Sequence, residues 1–540
     1  MGNSLSDLAL AARTVSDLRY RQVAYQLWYR FTGALNRRPP RFRAPSWAIS
    51  TPLPAPPPRT NLKPPHAATF RFLDCKLAFD NWDVVDWDHS GFGKLFTYNL
   101  NYFDWLLSPV DPAVAAAALG SHAAFQPPRA NKYEPYPTSL RLVNAIAFYG
   151  RLGSPPPQLI ADDLYTGYRD LWSKREFHLG GNHLLENALA LAAGAAAFGD
   201  IDGQRRALRL LTAEIREQYL PDGLHYERSF TYHALLTYRQ LLVLAILDQG
   251  HHDPSASASA DLLRASLPAQ LAVIRRHTPT IGPYPRFNDV DPAAPPPPQW
   301  LYAFAKMLGV TAEAPLEVAS ADITYRTFTR PNYQITVDVG AFAPDHLPAH
   351  AHCDALSFGI HDANGSELIV DTGTSTYEAS PTRLRERSTA AHNTVEVGLT
   401  NQAEIWAAFR VGRKPRVTLL DHTPDRLVAR VEAARGTSVA YTHTRALKFD
   451  SNAIKMTDRI ATVAAKSQRS RSRLHVAPGV NVEQRDGYVR LGRTARVSFS
   501  GAEEVSVEPY RFAVGFNRTV LAYVVVAAFR NELSTAIELH

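Results

Sequence analysis

The apolar residues of this chain change their period once, and that change limits the fold more than any other feature. From about Trp82 to Leu308, Ala and Leu recur every three or four residues, as in DPAVAAAALGSHAAF, NHLLENALALAAGAAAF and HALLTYRQLLVLAILDQ. That is the period of helices with a buried face. Gly153-Ser154-Pro155, Gly199-Asp200, Pro221-Asp222-Gly223 and Gly250 cut the run into separate helices. After about Ser320 the pattern becomes alternation, in ITYRTF, NYQITVDVG, ELIVDTG, RLVARVEA and TRALKFD, with turns such as Ala363-Asn364-Gly365 between them. The expectation is a multidomain α+β chain: a helical array or toroid over 67–320, then an antiparallel β-sandwich over 321–540. Residues 1–66 read as a helical arm, apolar at Leu18, Val23, Leu27 and Phe31, followed by a connector, Pro52 to Pro65, too rich in proline for a helix or inner strand.

Composition agrees and removes several function classes. At 540 residues one core is not enough, and 45% apolar with 20% charged residues is the balance of a globular protein. Two distant cysteines, Cys75 and Cys353, exclude a disulfide framework and a thiolate metal site. A net charge of +7 suits an acidic partner. No long Lys/Arg block occurs, so the excess reads as spread out and nucleic acid is not expected. No apolar run reaches the roughly 18 residues that span a membrane, so no transmembrane segment is expected. The N-terminus lacks a basic segment followed by an apolar one. The reading is a cytoplasmic protein, with periplasm or secretion left open.

Four clusters carry ionisable side chains. Gly180-Gly181-Asn182-His183 opens a helix and places His183 and Glu186 three residues apart on one face, although Asn at a helix start is more often a cap than a catalyst. His225-Tyr226-Glu227-Arg228-Ser229, then Thr231-Tyr232-His233, crowds polar groups before an apolar helix. His350-Ala351-His352-Cys353-Asp354, if extended, points its two histidines and Asp354 to one side and Cys353 to the other. Asp371 ends a strand, and His392 lies in RSTAAHNT, after Arg387. His352, Asp371 and His392 have the ligand types of a zinc site, but their spacing is not a local motif.

Seven stretches occurring in one order, LFTYNLNYFDWL, YEPYPTSLRLVNAI, GNHLLENALAL, HYERSFTYHALL, RFNDVDP, HAHCDALSF and ERSTAAHNTVEV, resemble the heparinase II/III-like polysaccharide lyases from Leu95 to at least Val397. LNYFDWL and EPYPTS are most similar to members associated with bacterial capsule or exopolysaccharide clusters. The resemblance implies an incomplete (α/α) toroid followed by antiparallel sheets, and β-elimination of an acidic, uronic-acid-containing polysaccharide. It implies that Asn182 and His183 hold the uronate carboxylate with Glu186 in support, that Tyr232 is base and/or acid, and that His350 faces it from the sandwich. It implies one structural Zn2+ on His352, Asp371 and His392, with no organic cofactor. Tyr136, Glu227, Arg228, Arg387 and Tyr377 are further candidates for substrate contact. Where the family shows Gly-Asp, this chain has Phe287-Asn288-Asp289, so no role is carried onto Asp289.

The chemistry explains such a gathering. The C5 proton of a uronate is weakly acidic while its carboxylate is charged, so donors must stabilise the developing dianion. A base must take the proton and an acid must protonate the departing oxygen at C4. A uronate C5-epimerase needs the same proton abstraction and remains an alternative. A glycoside hydrolase would need two placed carboxylates, for which Glu186 and Glu227 are the candidates. A glycan-binding protein with decayed catalysis would have no need for Asn182, His183, Tyr232 and His350 together.

Overall fold

The computed structural model describes residues 5–49, 51–59, 62–249, 254–279, 282–312, 323–433, 440–462 and 468–540. The arm holds helices α1 (Leu5–Ser16) and α2 (Tyr20–Thr32), but it is not a separate unit. Arg13 of α1 pairs with Glu404 at 3.0 Å, and the Thr14 hydroxyl donates to the Val411 carbonyl at 3.1 Å. Tyr29 of α2 donates instead to the Arg175 carbonyl at 3.1 Å, among the helices. The Gln22 amide spans both halves, donating to the carbonyls of Leu179 (3.3 Å) and His346 (3.2 Å). In the connector, the Leu53 N–H bonds the Gly150 carbonyl at 3.0 Å, and its side chain occupies the space that a Cβ on Gly150 would need.

A short hairpin, β1 (Thr69–Phe72) and β2 (Cys75–Ala78), leads into the helical half. That half contains α3 (Lys94–Tyr102), α4 (Pro112–Ala124), α5 (Pro135–Leu152), α6 (Gln158–Lys174), α7 (Gly181–Ala197), α8 (Ile201–Gln218), α9 (Phe230–Leu247), α10 (Pro254–His277) and α11 (Pro298–Met307). They form the incomplete toroid. At its centre, α7 is apolar or small on every side (LLENALALAAGAAA), so it must be surrounded, and it packs on α5, α6, α8 and α9. Contrary to the expectation that no run is long and apolar enough to cross a membrane, α9 is so by length and composition, yet 89% of it is buried within the protein. The cost of folding such helices is met by tertiary burial, not by helix propensity alone.

The boundary expected near 320 lies outside the described residues; among those described, α11 ends at Met307 and the first strand after it starts at Tyr325. Every strand pairing among the described residues of the C-terminal half is antiparallel. One four-stranded sheet follows chain order: β3 (Tyr325–Arg330), β4 (Tyr333–Asp338), β5 (Phe358–Asp362) and β6 (Glu367–Ile369). Then come β7 (Val395–Val397), the small pair β8 (Ile405–Trp406) and β9 (Arg410–Val411), β10 (Arg416–Thr423), β11 (Arg426–Glu432), β12 (Tyr441–Phe449) and β13 (Ala453–Thr462). The remaining strands are β14 (Ser470–His475), β15 (Val482–Arg485), β16 (Tyr488–Leu491), β17 (Ala495–Ser500), β18 (Glu504–Gly515), β19 (Arg518–Phe529) and β20 (Glu532–Leu539). An eight-stranded sheet runs β10-β11-β12-β13-β20-β17-β16-β15, and a second four-stranded sheet runs β18-β19-β14-β7. Leu447, Met456 and Ile537 of the large sheet meet Ile335 and Phe358, and Leu474 and Val525, of the smaller ones in one core. Between β5 and β7 lies a short helix, α12 (Pro381–Glu386).

One charged pair lies inside this sandwich. Arg445 and Asp458 are opposite one another in β12 and β13, fully buried, with Arg445 Nε 2.7 Å from Asp458. The same guanidinium donates at 2.7 Å to the carbonyls of Leu356 and Asn393, tying the sheet to the loops that carry the site. Arg445→Met should therefore leave Asp458 facing only His443, 2.8 Å away, and remove the donors to both loop carbonyls, lowering unfolding free energy by about 2–5 kcal/mol in denaturant titration. A loss under about 1 kcal/mol would show that the pair is not needed there.

Candidate active site

The first site residues stand on α7, and two glycines place them. Gly180 (φ +73°) and Gly181 (φ +56°) turn the chain into the helix with left-handed backbone. A Cβ on Gly181 would fall 2.2 Å from Glu227 Oε1, so only glycine lets Glu227 approach. Glu227 then accepts the Asn182 backbone N–H at 2.7 Å and its amide at 3.0 and 3.2 Å. Tyr226 accepts the Gly181 N–H at 3.1 Å. His183 puts Nδ1 2.9 Å from Glu176 and lies against the Tyr136 ring, centroids 4.1 Å apart. Burial alone would lower the His183 pKa; Glu176 more than offsets it, and the net direction is upward. Glu227 is likewise opposed by burial, but His350, His225 and the Asn182 hydrogen bonds hold it below the ordinary glutamate value.

The opposing residues come from the loop between β4 and β5. The segment 350–357 is not the extended run expected: it bends at Cys353 and turns at Ala355-Leu356, where Leu356 takes φ +62°, yet His350, His352 and Asp354 all reach the Asn288-Asp289 segment. His350 Nδ1 meets Asp289 at 2.7 Å, His352 Nε2 meets it at 2.8 Å, and Asp354 accepts the Asn288 N–H at 3.0 Å. Cys353 turns away into a small apolar cluster with Phe342 and Ala403. Asp289 is fully buried and also binds Arg383 of α12 through both guanidinium nitrogens, one at 2.8 Å. Burial pushes its pKa up, but Arg383 and the two histidines pull it well below the usual carboxylate range. Asn288 explains the departure from Gly-Asp noted in the sequence: it takes φ +62°, a left-handed conformation that asparagine tolerates. Its side chain is used as well, accepting the His352 N–H at 3.0 Å.

The two sides meet. The Tyr232 ring packs on the His350 ring with centroids 4.2 Å apart, and its hydroxyl lies 2.9 Å from that of Tyr377. Glu227 bridges the halves, 3.5 Å from His350 Nε2 while it holds Asn182. Burial raises the Tyr232 hydroxyl well above 10, and Tyr377 and Asp289 raise it further. In the free protein Tyr232 therefore keeps its proton.

Asp371 and His392 pair at 2.6 Å, and the His352 and His392 rings are 5.3 Å apart. Each of the three expected zinc ligands keeps one buried atom without a hydrogen-bond partner among the described residues: His352 Nδ1, Asp371 Oδ1 and His392 Nε2. A histidine whose other nitrogen faces a carboxylate is the usual arrangement behind a metal, so the donor chemistry fits zinc. As the side chains stand, no three His, Cys, Asp or Glu residues among those described converge on a point suited to an ion.

Several candidates take other positions. Glu186 turns to Arg239 at 3.2 Å, buried beneath the site, and burial raises it to about 7. Arg228 does not face the cleft; it donates to the Ala341 carbonyl. Arg387 is fully buried and donates to the carbonyls of Ala351 (3.1 Å) and Ala408 (3.2 Å). It braces the His350 loop and has no exposed surface for a sugar. Tyr136 and Tyr377 do lie with His183 and Tyr232 respectively. Asp289 belongs to the RFNDVDP stretch but is given no role in the sequence reading, and Arg383 and Glu176 lie outside every quoted stretch, so nothing in the sequence points to them.

This geometry can be set beside known proteins. Residues 170–295 match the family model described as Heparinase II/III N-terminus, and residues 316–538 the one described as Heparinase II/III-like, C-terminal. Together the two spans contain Asn182, Tyr232, Asp289, His350 and Tyr377. A heparinase III structure superposes with TM-score 0.63 at 14% identity, covering 84% of this chain and 79% of that one. The heparan sulfate lyase HepC from Pedobacter heparinus superposes with TM-score 0.52 at 13% identity, covering 88% and 81%. At such identities the likeness is one of fold. No curated protein matches by sequence.

The paired glycines give a differential test. Gly180→Ala has open space for its methyl and should cost only the strain of a conformation open essentially to glycine (φ +73°, ψ −152°), about 1–3 kcal/mol. Gly181→Ala must also displace Glu227 and Leu347, so its denaturation midpoint should fall distinctly further. Equal losses would mean that Glu227 is not held as described.

Proposed function

This chain belongs to the heparinase II/III-like family of polysaccharide lyases, and from that premise we propose that it cleaves a uronic-acid-containing polysaccharide by β-elimination at the toroid–sandwich junction. The observation that carries the reading is the meeting of Asn182 and Tyr232 with His350 from the other half, around Glu227. The Asn182 amide has two N–H groups; one suffices for Glu227 and the other serves the substrate carboxylate. Glu176 biases His183 toward imidazolium, a second partner for that negative charge. His350, oriented through Nδ1 by Asp289, takes the C5 proton on Nε2. The C5–H electrons form the C4=C5 double bond, the C4–O bond breaks, and the departing oxygen takes the proton of Tyr232. Tyr377, hydrogen-bonded to Tyr232, supports its reprotonation. The hydrolase alternative is disfavoured because Glu186 is committed to Arg239 and Glu227 to Asn182.

The same reading keeps one structural zinc ion on His352, Asp371 and His392, supported by their three unpartnered buried atoms. When bound it would rivet the loops behind His350 and take no part in proton transfer.

Activity is read as absorbance from unsaturated chain ends on a panel of uronic acid polysaccharides. Tyr232→Phe, His350→Ala and Asn182→Ala should each lower turnover at least about a hundredfold while the protein stays folded. Near-normal turnover in all three would contradict the assignment. Elemental analysis of protein purified without chelator should find zinc that His392→Ala loses; near-zero zinc in both samples removes the ion and leaves His350's role untouched.

A further inference from the structure

Helix α2 is apolar and aromatic on two faces, and only one is covered. Gln22 and Tyr29 are buried against the toroid, and the Tyr25 ring packs 5.0 Å from that of Phe177. On the other face Tyr20, Leu27, Trp28 and Phe31 are 87%, 48%, 60% and 84% exposed. Their spacing of seven, eight and eleven residues from Tyr20 puts them in one stripe. Scattered exposed apolar residues are normal, but four large ones on one face of a 13-residue helix form a patch that implies a partner.

Charge identifies the partner. Between Arg19 and Arg43 the chain has seven arginines and no Asp or Glu, as many positive charges as the net +7 of the whole protein. The basic excess is therefore concentrated here, not spread along the chain as the lack of a Lys/Arg block suggested. Arg21 and Arg30 lie on α2 itself, exposed, and Arg37, Arg38, Arg41 and Arg43 follow it, also exposed. Four of the seven have local partners: Arg19 pairs with Glu217, Arg21 lies over the Phe177 ring, and Arg37 and Arg38 donate to the backbone carbonyls of Thr32 and Gln126, contacts that leave their charge unneutralised. We propose that α2 and the arginines after it dock this protein on a bilayer surface rich in anionic headgroups. Leu27 and Phe31 have no group to offer a sugar hydroxyl but suit the acyl boundary, while Trp28 and Tyr20 suit the headgroup level. A second copy of the chain would bring two strongly basic segments together, which charge opposes. Because Gln22 ties α2 to Leu179 and His346, a docked surface would lie beside the segment that leads to Asn182.

The test uses the full chain with vesicles of phosphatidylcholine alone or mixed with phosphatidylglycerol. Co-sedimentation should favour the mixed vesicles at least about tenfold and weaken as salt is raised. Leu27→Ser with Trp28→Ser and Phe31→Ser should lower that binding at least about tenfold, with thermal unfolding and cleavage of soluble polysaccharide unchanged. Equal affinity for both vesicles, or none for either, would overturn the proposal. So would a dimer without vesicles that the triple variant converts to monomer, or arm-dependent binding of acidic polysaccharide in place of lipid.

Discussion

Asp289 is a carboxylate with no access to water, and the site is arranged around its charge. An isolated ionised carboxylate in such a place would cost several kcal/mol and would take up a proton. Arg383 meets it with both guanidinium nitrogens, and His350 and His352 each turn a ring nitrogen to it. Its own backbone binds both halves: its N–H donates to the His350 carbonyl at 3.1 Å, and its carbonyl accepts the Ser229 hydroxyl at 2.5 Å. Ser229 also caps α9, the helix that carries Tyr232. One residue thus fixes the orientation of His350, the start of the Tyr232 helix and the loop between them. Breaking the ion pair from either side would leave a buried charge unpaired, which is far more costly than the net worth of the pair.

The two halves are joined at several places, which limits how the cleft can open. Glu227 bridges Asn182 and His350 on the inside. The arm crosses the outside, with Arg13 on Glu404, Tyr29 on Arg175 and Gln22 on both halves. The arm's basic segment also explains why a mild overall charge conceals a strongly positive region.

Much of this was legible in the sequence. The change of period after Leu308 announced helices before strands, and the alternation of HAHCD placed His350 and His352 on the side opposite Cys353. What stayed hidden depended on side-chain direction. Arg228 and Arg387 stand next to site motifs, and sequence adjacency suggested substrate contact; the fold spends both on backbone carbonyls. Asp289 was passed over because Asn288 stands where the family has glycine. Asparagine can adopt the same left-handed backbone, so the departure preserved the turn. Arg383 and Glu176 come from segments without a motif, and only tertiary packing brings them to Asp289 and His183. Glu186 lies at the expected helical spacing from His183, yet Arg239, an arginine inside an apolar helix, claims its carboxylate.

The central claim is that proton removal at C5 ends in expulsion of the oxygen at C4. Proton NMR of a cleavable uronic acid polysaccharide incubated with the protein in D2O reads the outcome directly. The account predicts new vinylic H4 signals from C4=C5 unsaturated ends, appearing in step with chain shortening and absent with Tyr232→Phe. Deuterium gained at C5 in an unshortened chain would make the protein an epimerase, and saturated new ends would make it a hydrolase; either result would contradict the account.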